Sequence, residues 1–247
     1  MSLHLIEFPL SLRALHRWAG ERALGKQFDE GLALHHLLGE TFGPAALQPF
    51  RLMVAPRAQV GTLYAYAAIE AETLRRRAIA SLAPSHAEVI DLERLRSLPR
   101  PKASWIVGQR LGFDLRLRPV VRLASALSGV DDSGAEVSFS KGAEVDAYLA
   151  KVLRGEKTTR EESYLSWLAE RLAPAAALDH AATRLASFQR TRIQRDGKRL
   201  EGPDAVLHGT LTVTDAGAFA DLLARGVGRH RSYGYGMMLL RPPQRVR

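Results

Sequence analysis

Hydrophobic and polar residues alternate along several segments of the chain and recur every three or four positions along others. Alternation with period two is typical of a strand with one buried face, and helical spacing is typical of an amphipathic helix. The alternating segments predict strands at residues 3–10, 50–55, 61–66, 109–118, 184–195, 205–213 and 235–241. The other pattern predicts helices at residues 11–24, 30–42, 67–82, 143–153, 161–172 and 215–225.

The order of these elements is similar in the two halves of the chain. The second half reads β-α-β-β-α-β and the first half begins β-α-β-β-α, which is the order of a ferredoxin-like unit. Prolines at positions 99 and 101 favour a junction between the two units near residues 99–102. The predicted fold class is α+β, with two tandem ferredoxin-like (RRM-like) domains at residues 1–105 and 106–247. Residues from about 125 to 159 are polar and less regular, and we expect them to form a helical insertion.

The chain is strongly basic, with 35 lysines and arginines, 26 acidic residues and a formal net charge of +9. Such a charge creates a positive field that attracts polyanions. The sequence has no cysteine, so disulfides and thiolate metal sites are excluded. No apolar run approaches the roughly 20 residues of a membrane span, and the first residues do not resemble a signal peptide. We therefore expect a cytoplasmic protein that is not bound to a membrane.

A glycine-rich segment near the C-terminal end is the strongest candidate for a binding site. It has two G-x-G pairs, and three basic residues lie between them. Glycine permits positive φ and lets a ligand approach the main chain, and exposed N–H groups beside cations suit phosphate. The third glycine of a dinucleotide fingerprint is missing, since position 231 is arginine, and no Walker loop is present. The predicted RNA-binding residues here are Gly226, Gly228, Arg229, His230, Arg231, Gly234 and Gly236.

A second basic cluster lies across the hairpin predicted at residues 190–199. The dipeptide Asp196-Gly197 favours a two-residue hairpin turn. The predicted RNA contacts are Arg190, Arg192, Arg195, Lys198 and Arg199, with Lys157 and Arg160 from the insertion. Charges that protect an exposed strand edge are the alternative explanation.

Four segments resemble the CRISPR repeat-processing endoribonucleases, and within them the CasE-like branch. They are the glycine-rich segment 226–236, residues 208–215 before it, residues 108–122 as a first strand of the second domain, and residues 28–42 as the first helix. The resemblance implies two ferredoxin-like domains and metal-independent cleavage of the repeat hairpin of precursor CRISPR RNA. It also implies that the enzyme stays bound to the mature crRNA stem-loop and joins other subunits of a Cascade-like complex.

The chain departs from this family pattern in three places. Leu32 stands where the CasE branch has a tyrosine, three positions before the histidine. Region 125–159 is longer than usual, and the N-terminal helix is rich in arginine. These departures suit a divergent member, and both the type I-E and the type IV versions remain open.

Metal-free RNA cleavage needs a group that takes the proton of a 2′-hydroxyl and positive charge that meets the phosphate oxygens. His35 is the first candidate, because helical spacing places it at the border of a buried face. Arg231 matches the basic position of the family loop. The predicted catalytic residues are His35, Arg231, Arg22, Arg17 and His36, of which His36 is alternatively a second RNA contact.

Other interpretations stay open at this point. His230 competes with His35, and His35 could be a histidine half-packed beside a core helix. Asp131 and Asp132 lack the companions that a metal site needs, so neither a metal nor a cofactor is predicted. The alternative function is a non-catalytic RNA-binding subunit of a CRISPR ribonucleoprotein complex.

Overall fold

The computed structural model describes residues 3–22, 24, 28–81, 83–195 and 198–243, without the side chains of residues 81, 193–195 and 198–200. Its first half contains one four-stranded antiparallel sheet in the order β2-β3-β1-β4. The strands are β1 (His4–Ser11), β2 (Phe50–Met53), β3 (Val60–Ala67) and β4 (Arg96–Pro99). The helices are α1 (Leu12–Glu21), α2 (Glu30–Phe42), α3 (Ala71–Ser81) and the short α4 (Pro84–Ala87).

The second half repeats this arrangement. Its sheet has the strand order β10-β11-β5-β12, which corresponds position by position to that of the first sheet. The strands are β5 (Arg110–Leu117), β10 (Ala176–Arg195), β11 (Lys198–Val213) and β12 (Met238–Arg241), and the helices are α6 (Arg160–Leu172) and α7 (Ala216–Arg225). The prediction of an α+β chain with two ferredoxin-like units is confirmed. Its division at residue 105 stays a prediction.

The region between β5 and α6 is not the helical insertion that the sequence predicts. It contains the predicted short helix, α5 (Ala147–Val152), but also β6 (Val120–Arg122), β7 (Leu127–Val130), β8 (Glu136–Phe139) and β9 (Glu144–Asp146). The strands β7 and β8 form a hairpin, and β6 pairs with β9. Asp131 explains the hairpin, because its carboxylate accepts hydrogen bonds from the N–H groups of Ser133 and Ala135 and thereby closes the turn.

Several predicted element limits are wrong. Strand β10 begins at Ala176 rather than at 184, because bulges between Asp179 and Ser187 break its alternation. Strand β11 begins at Lys198 rather than at 205, and β12 at Met238 rather than at 235. The sequence pattern missed β4 altogether. The predicted Asp196-Gly197 turn lies outside the described residues.

The two halves are joined by buried contacts. Leu3, which precedes β1, and Tyr66 of β3 pack in the same apolar core as Phe113 and Phe219 of the second half. The Tyr66 hydroxyl donates a hydrogen bond to the carbonyl of Met238, at 3.1 Å. These contacts fix the first sheet against the last strand of the second, and the site described below lies where the halves meet.

Candidate functional site

Helix α2 supplies the first component of the site. Asp29 caps it, because its carboxylate accepts a hydrogen bond of 3.0 Å from the N–H of Leu32. Leu34 and Leu37 are fully buried on one face of the helix. His35, at the edge of that face, is half-buried, as helical spacing predicts.

The glycine-rich segment after α7 supplies the second component. Gly226, which ends α7, and Gly236 both have positive φ, and their backbones lie side by side. The N–H of Val227 donates to the carbonyl of Gly236 at 2.8 Å, and the N–H of Gly236 donates to the carbonyl of Arg116 at 2.8 Å. A Cβ atom at Gly236 would lie 2.3 Å from the Val227 carbonyl oxygen, so only glycine fits there. Gly228 and Gly234 also have positive φ, and the segment is therefore a closed loop anchored on β5.

Helix α2 and the loop meet at Tyr233. A Cβ atom at Gly31 would lie 2.7 Å from the carbonyl oxygen of Tyr233, so the helix and the loop are in direct contact. The rings of His35 and Tyr233 lie 5.3 Å apart between centroids. Together they border an open cleft of about 680 Å³. The described residues that line it are His35, Ala45, Gln48, Ala224, Arg225, Gly228, Arg229, His230, Arg231, Ser232 and Tyr233.

The surroundings of His35 favour the neutral form of its ring. Burial lowers the pKa of His35, and the neighbouring His36 lowers it further. The Nδ1 atom of His35 is buried and has no hydrogen-bond partner among the described residues. A neutral imidazole at the wall of an open cleft can accept a proton from a ligand.

The basic side chains of the loop form hydrogen bonds and ion pairs with other groups of the protein. Arg231 donates from Nη1 to the carbonyl of Arg225 at 2.5 Å. Glu144 on β9 binds two of the others: Arg229 through Nε at 2.6 Å and His230 through Nε2 at 2.9 Å. The side chain of His230 is only 2% exposed, whereas that of Arg229 is 46% exposed. Arg229 and Arg231 therefore present charge to the cleft, and the position of His230 favours a supporting role.

Three predicted catalytic residues are not among the described residues that line the cleft. Arg17 pairs with Glu88, and Arg22 pairs with Glu40 at 3.2 Å and stacks on Trp18. His36 is half-buried, with its ring 5.4 Å from that of His35. The catalytic roles of Arg17, Arg22 and His36 stay predictions.

Some of the remaining predicted RNA contacts are exposed, and others bind groups within the protein. Arg190 and Arg192 on β10 are exposed, and both pair with Glu201 on β11, at 3.9 and 2.9 Å. Lys157 is exposed as well. Arg160, in contrast, binds Asp146 at 2.6 Å and stacks on the ring of Phe188, so it holds the insertion against α6. The backbones of Arg195, Lys198 and Arg199 lie in the paired ends of β10 and β11.

The sequence pattern does not reveal the residues of the second sheet that bind the end of the loop. Arg116 on β5 forms a two-pronged pair with Asp204 on β11, with distances of 2.9 and 2.6 Å. The Tyr235 hydroxyl lies 3.3 Å from the same carboxylate, and the guanidinium of Arg116 lies over the Tyr235 ring. The only sequence signal is the alternation of charged and apolar residues in β5. Their partners lie far away along the chain.

A second pair crosses between the two halves. Arg51 on β2 donates to Asp114 on β5 at 2.5 Å, with side chains that are 7% and 16% exposed. His208 on β11 reaches the same carboxylate at 3.0 Å. These contacts fix the position of the first sheet relative to the second.

No described helix is long and apolar enough to cross a membrane. Among residues 3–22, 24, 28–81, 83–195 and 198–243, no group of three or more histidine, cysteine, aspartate or glutamate side chains is placed to hold a metal ion.

Known proteins share this sequence pattern and fold. Residues 3–242 match the family model described as CRISPR associated protein. Thermus thermophilus Cse3, bound to an RNA representing a pre-cleavage complex, is 20% identical, with 98% of this chain and 100% of that chain covered and a TM-score of 0.62. The CRISPR-associated protein Cas6e from Escherichia coli K-12 is 20% identical, with the same coverage and a TM-score of 0.59. A chain of a CRISPR RNA-guided surveillance complex, pre-nicking, is 14% identical, with 96% and 99% covered and a TM-score of 0.56. No curated protein matches the chain in sequence.

Proposed function

The chain belongs to the family of CRISPR associated proteins, and we propose that it is an endoribonuclease that cleaves the repeat hairpin of precursor CRISPR RNA without a metal ion. The observation that carries this proposal is that a half-buried His35, whose pKa is lowered by burial, lines the same open cleft as Arg229 and Arg231 of the loop. A proton acceptor facing a phosphate-binding loop is the arrangement that transesterification of RNA requires.

The chemistry needs no further group for the first step. The 2′-hydroxyl of the nucleotide before the cut attacks the adjacent phosphorus, and His35 takes its proton. The bond from the 2′ oxygen to phosphorus forms, the bond from phosphorus to the 5′ oxygen breaks, and the departing oxygen takes a proton from water. Arg229 and Arg231 stabilise the charge on the phosphate oxygens. The products are a 2′,3′-cyclic phosphate and a 5′-hydroxyl.

The exposed cations of the hairpin formed by β10 and β11 extend the contact with RNA. Arg190 and Arg192 lie on one face of β10 and suit the backbone of an RNA stem, which proteins recognise largely by shape and phosphate contacts. A grip of this kind favours retention of the cleaved stem-loop. The likeness of the fold to a chain of a surveillance complex supports assembly with other subunits of a Cascade-like complex. We expect this assembly to act in the cytoplasm.

The test is cleavage of labelled repeat RNA in EDTA, with binding measured on the same samples. We expect His35→Ala to lower the cleavage rate by about 10²- to 10⁴-fold, since it removes the proton acceptor, and to leave the affinity for RNA unchanged. Arg231→Ala should lower the rate as well. The exposed His180 gives a matched control, and His180→Ala should cleave like the wild-type protein.

Each other outcome has a definite meaning. Wild-type protein that binds the repeat but never cuts it would overturn the proposal in favour of a non-catalytic RNA-binding subunit. Cleavage that survives His35→Ala but not Arg231→Ala would assign the chemistry to the arginines. Cleavage that EDTA abolishes would show that a metal ion is required.

A further inference from the structure

Tyr233 lies between the glycine-rich loop and helix α2. It ends a single 3₁₀ turn of residues Arg231–Tyr233, whose hydrogen bond runs from the N–H of Tyr233 to the carbonyl of His230 at 2.9 Å. Gly31 contacts the main chain of Tyr233, and the Tyr233 ring faces His35 at 5.3 Å with an angle of 38° between the ring planes. The tyrosine is thus fixed at its backbone and presents its ring to the histidine.

Ring contacts are the restraint that the described residues provide for His35. A histidine that moves protons is usually oriented by a hydrogen bond to its second nitrogen. In this protein the Nδ1 atom is buried and lacks such a partner among the described side chains and backbone groups. The ring packs instead between His36, at 5.4 Å, and Tyr233, at 5.3 Å. Because Nδ1 is buried, Nε2 is the nitrogen that can face the cleft.

We propose that Tyr233 is a positioning residue, whose aromatic ring holds His35 with Nε2 facing the phosphate in the cleft. This inference rests on the proposed function. It assigns the role to the ring of Tyr233 rather than to its hydroxyl, because the observed contact joins the two rings, with centroids 5.3 Å apart. A ring that holds a proton acceptor within reach of its substrate affects the chemical step more than the affinity.

Two substitutions separate the ring from the hydroxyl. We expect Tyr233→Ala to slow single-turnover cleavage by about 10- to 100-fold with little change in Kd for the repeat RNA. Tyr233→Phe should retain at least half of the wild-type rate, since phenylalanine supplies the same ring. Tyr64→Ala removes a half-buried tyrosine of β3 and serves as the control, with melting curves recorded for every variant. A Tyr233→Phe variant as slow as Tyr233→Ala would overturn the assignment to the ring.

The pH profile gives a readout that a general loss of folding would not move. His35 accepts a proton in its neutral form, so the rate rises with pH through the pKa of His35, which burial places below its ordinary value. Removal of the Tyr233 ring exposes His35 to water and lets that pKa rise. The acid limb of the profile should therefore move to higher pH in Tyr233→Ala and stay in place in Tyr233→Phe. A limb that stays in place in both variants would contradict the proposal.

An NMR titration tests the same contact without any cleavage. In protein with ¹³C-labelled histidine, the His35 signal is assigned by its loss in His35→Ala. Tyr233→Ala should change its chemical shift, through loss of the ring current, and raise its pKa. If wild-type protein does not cut RNA, the proposed function fails while this titration still reports on the contact. An unchanged His35 signal in Tyr233→Ala would overturn the positioning role even in an active enzyme.

Discussion

The glycine-rich loop and the arginine hairpin, which is the part of β10 and β11 that carries Arg190 and Arg192, are both basic. Their cations have different partners. In the loop, Arg229 and His230 bind Glu144, and Arg231 donates to a backbone carbonyl. In the hairpin, Arg190 and Arg192 are exposed and share the single carboxylate of Glu201. Exposed pairs of this kind contribute little to stability and leave the guanidinium groups free to exchange partners.

On the proposed function, this difference suits two kinds of RNA contact. Cations with fixed partners keep a loop in one shape, as a site for chemistry requires. Exposed cations on a strand pair follow a phosphate backbone with less defined geometry, and their contribution falls with added salt. The loop is therefore suited to act on one phosphate, and the hairpin to hold many.

The largest effect is expected where loop and hairpin meet, at Asp204. This carboxylate is almost fully buried and binds Arg116 from the sheet and Tyr235 from the loop. Asp204→Asn takes from Arg116 its closest carboxylate and leaves it with the more distant Glu30, at 3.7 Å, so we expect a loss of about 3 kcal/mol in the free energy of unfolding. The melting temperature should fall by about 6–12 °C. Asp221→Asn, at an exposed aspartate that pairs with Lys102, is the control and should melt like the wild-type protein.

The same variant tests the pH dependence. Burial alone would raise the pKa of Asp204, but the hydrogen bonds and charge of Arg116 outweigh burial and hold the pKa below its ordinary value. A carboxylate with a lowered pKa adds stability above its unfolded pKa, near 3.9, and this stability is lost as the pH falls through the folded value. Denaturation measured below about pH 4 should thus be less steep for Asp204→Asn. Equal slopes would show that Asp204 does not contribute.

A smaller effect on stability is expected from a substitution of Glu144, which forms two ion pairs with residues of the loop. Glu144→Gln removes the carboxylate that binds Arg229 and the buried His230, and we expect a loss of about 1–3 kcal/mol in the free energy of unfolding. Cleavage should slow as the loop loses its shape, while RNA binding through the hairpin persists. Glu136→Gln, at an exposed position in the same insertion, is the matched control. Unchanged cleavage in Glu144→Gln would show that the loop keeps its shape without this pair.

The smallest effect on stability is expected in the hairpin. Arg190→Ala combined with Arg192→Ala removes two exposed cations, so the melting temperature should not change. The affinity for repeat RNA should fall, and the slope of log K against log salt should decrease by about 1.5. Glu201→Gln gives the opposite control, because it releases both arginines and should change stability by less than about 0.5 kcal/mol. An unchanged salt slope in the double variant would exclude the hairpin from the RNA interface.

Long alternating segments made most of the fold predictable. In β5, Phe113, Leu115 and Leu117 are fully buried, and their spacing alone predicts a strand. Strand β4 gave no such signal, because its residues are largely exposed and Pro99 ends it. The insertion was misread for a similar reason: β7 and β8 are short and polar, and the Asp131 turn between them has no Asp-Gly or Asn-Gly pair.

The candidate site was predictable only in part. The positions of Leu34 and Leu37 locate His35 at the edge of a helix face, and the glycine spacing locates the loop. The sequence does not show that Tyr233 meets His35, because this contact joins opposite ends of the chain. The same holds for Glu144, whose pairing makes His230 a buried support although it lies in a basic run. Local patterns predict local structure, and long-range partners decide which cations remain exposed.

The late position of Tyr233 has a consequence for protein synthesis. Helix α2, with His35, and the arginine hairpin are both made before the loop, and the loop is followed in the chain by β12, which pairs with β5. Chains are made from the N-terminal end, and domains begin to fold during synthesis. A chain interrupted before residue 226 would carry the hairpin and the histidine but not the loop. On the proposed function, we expect such a chain to hold RNA without cutting it, so that cleavage requires translation to have passed the final helix, α7.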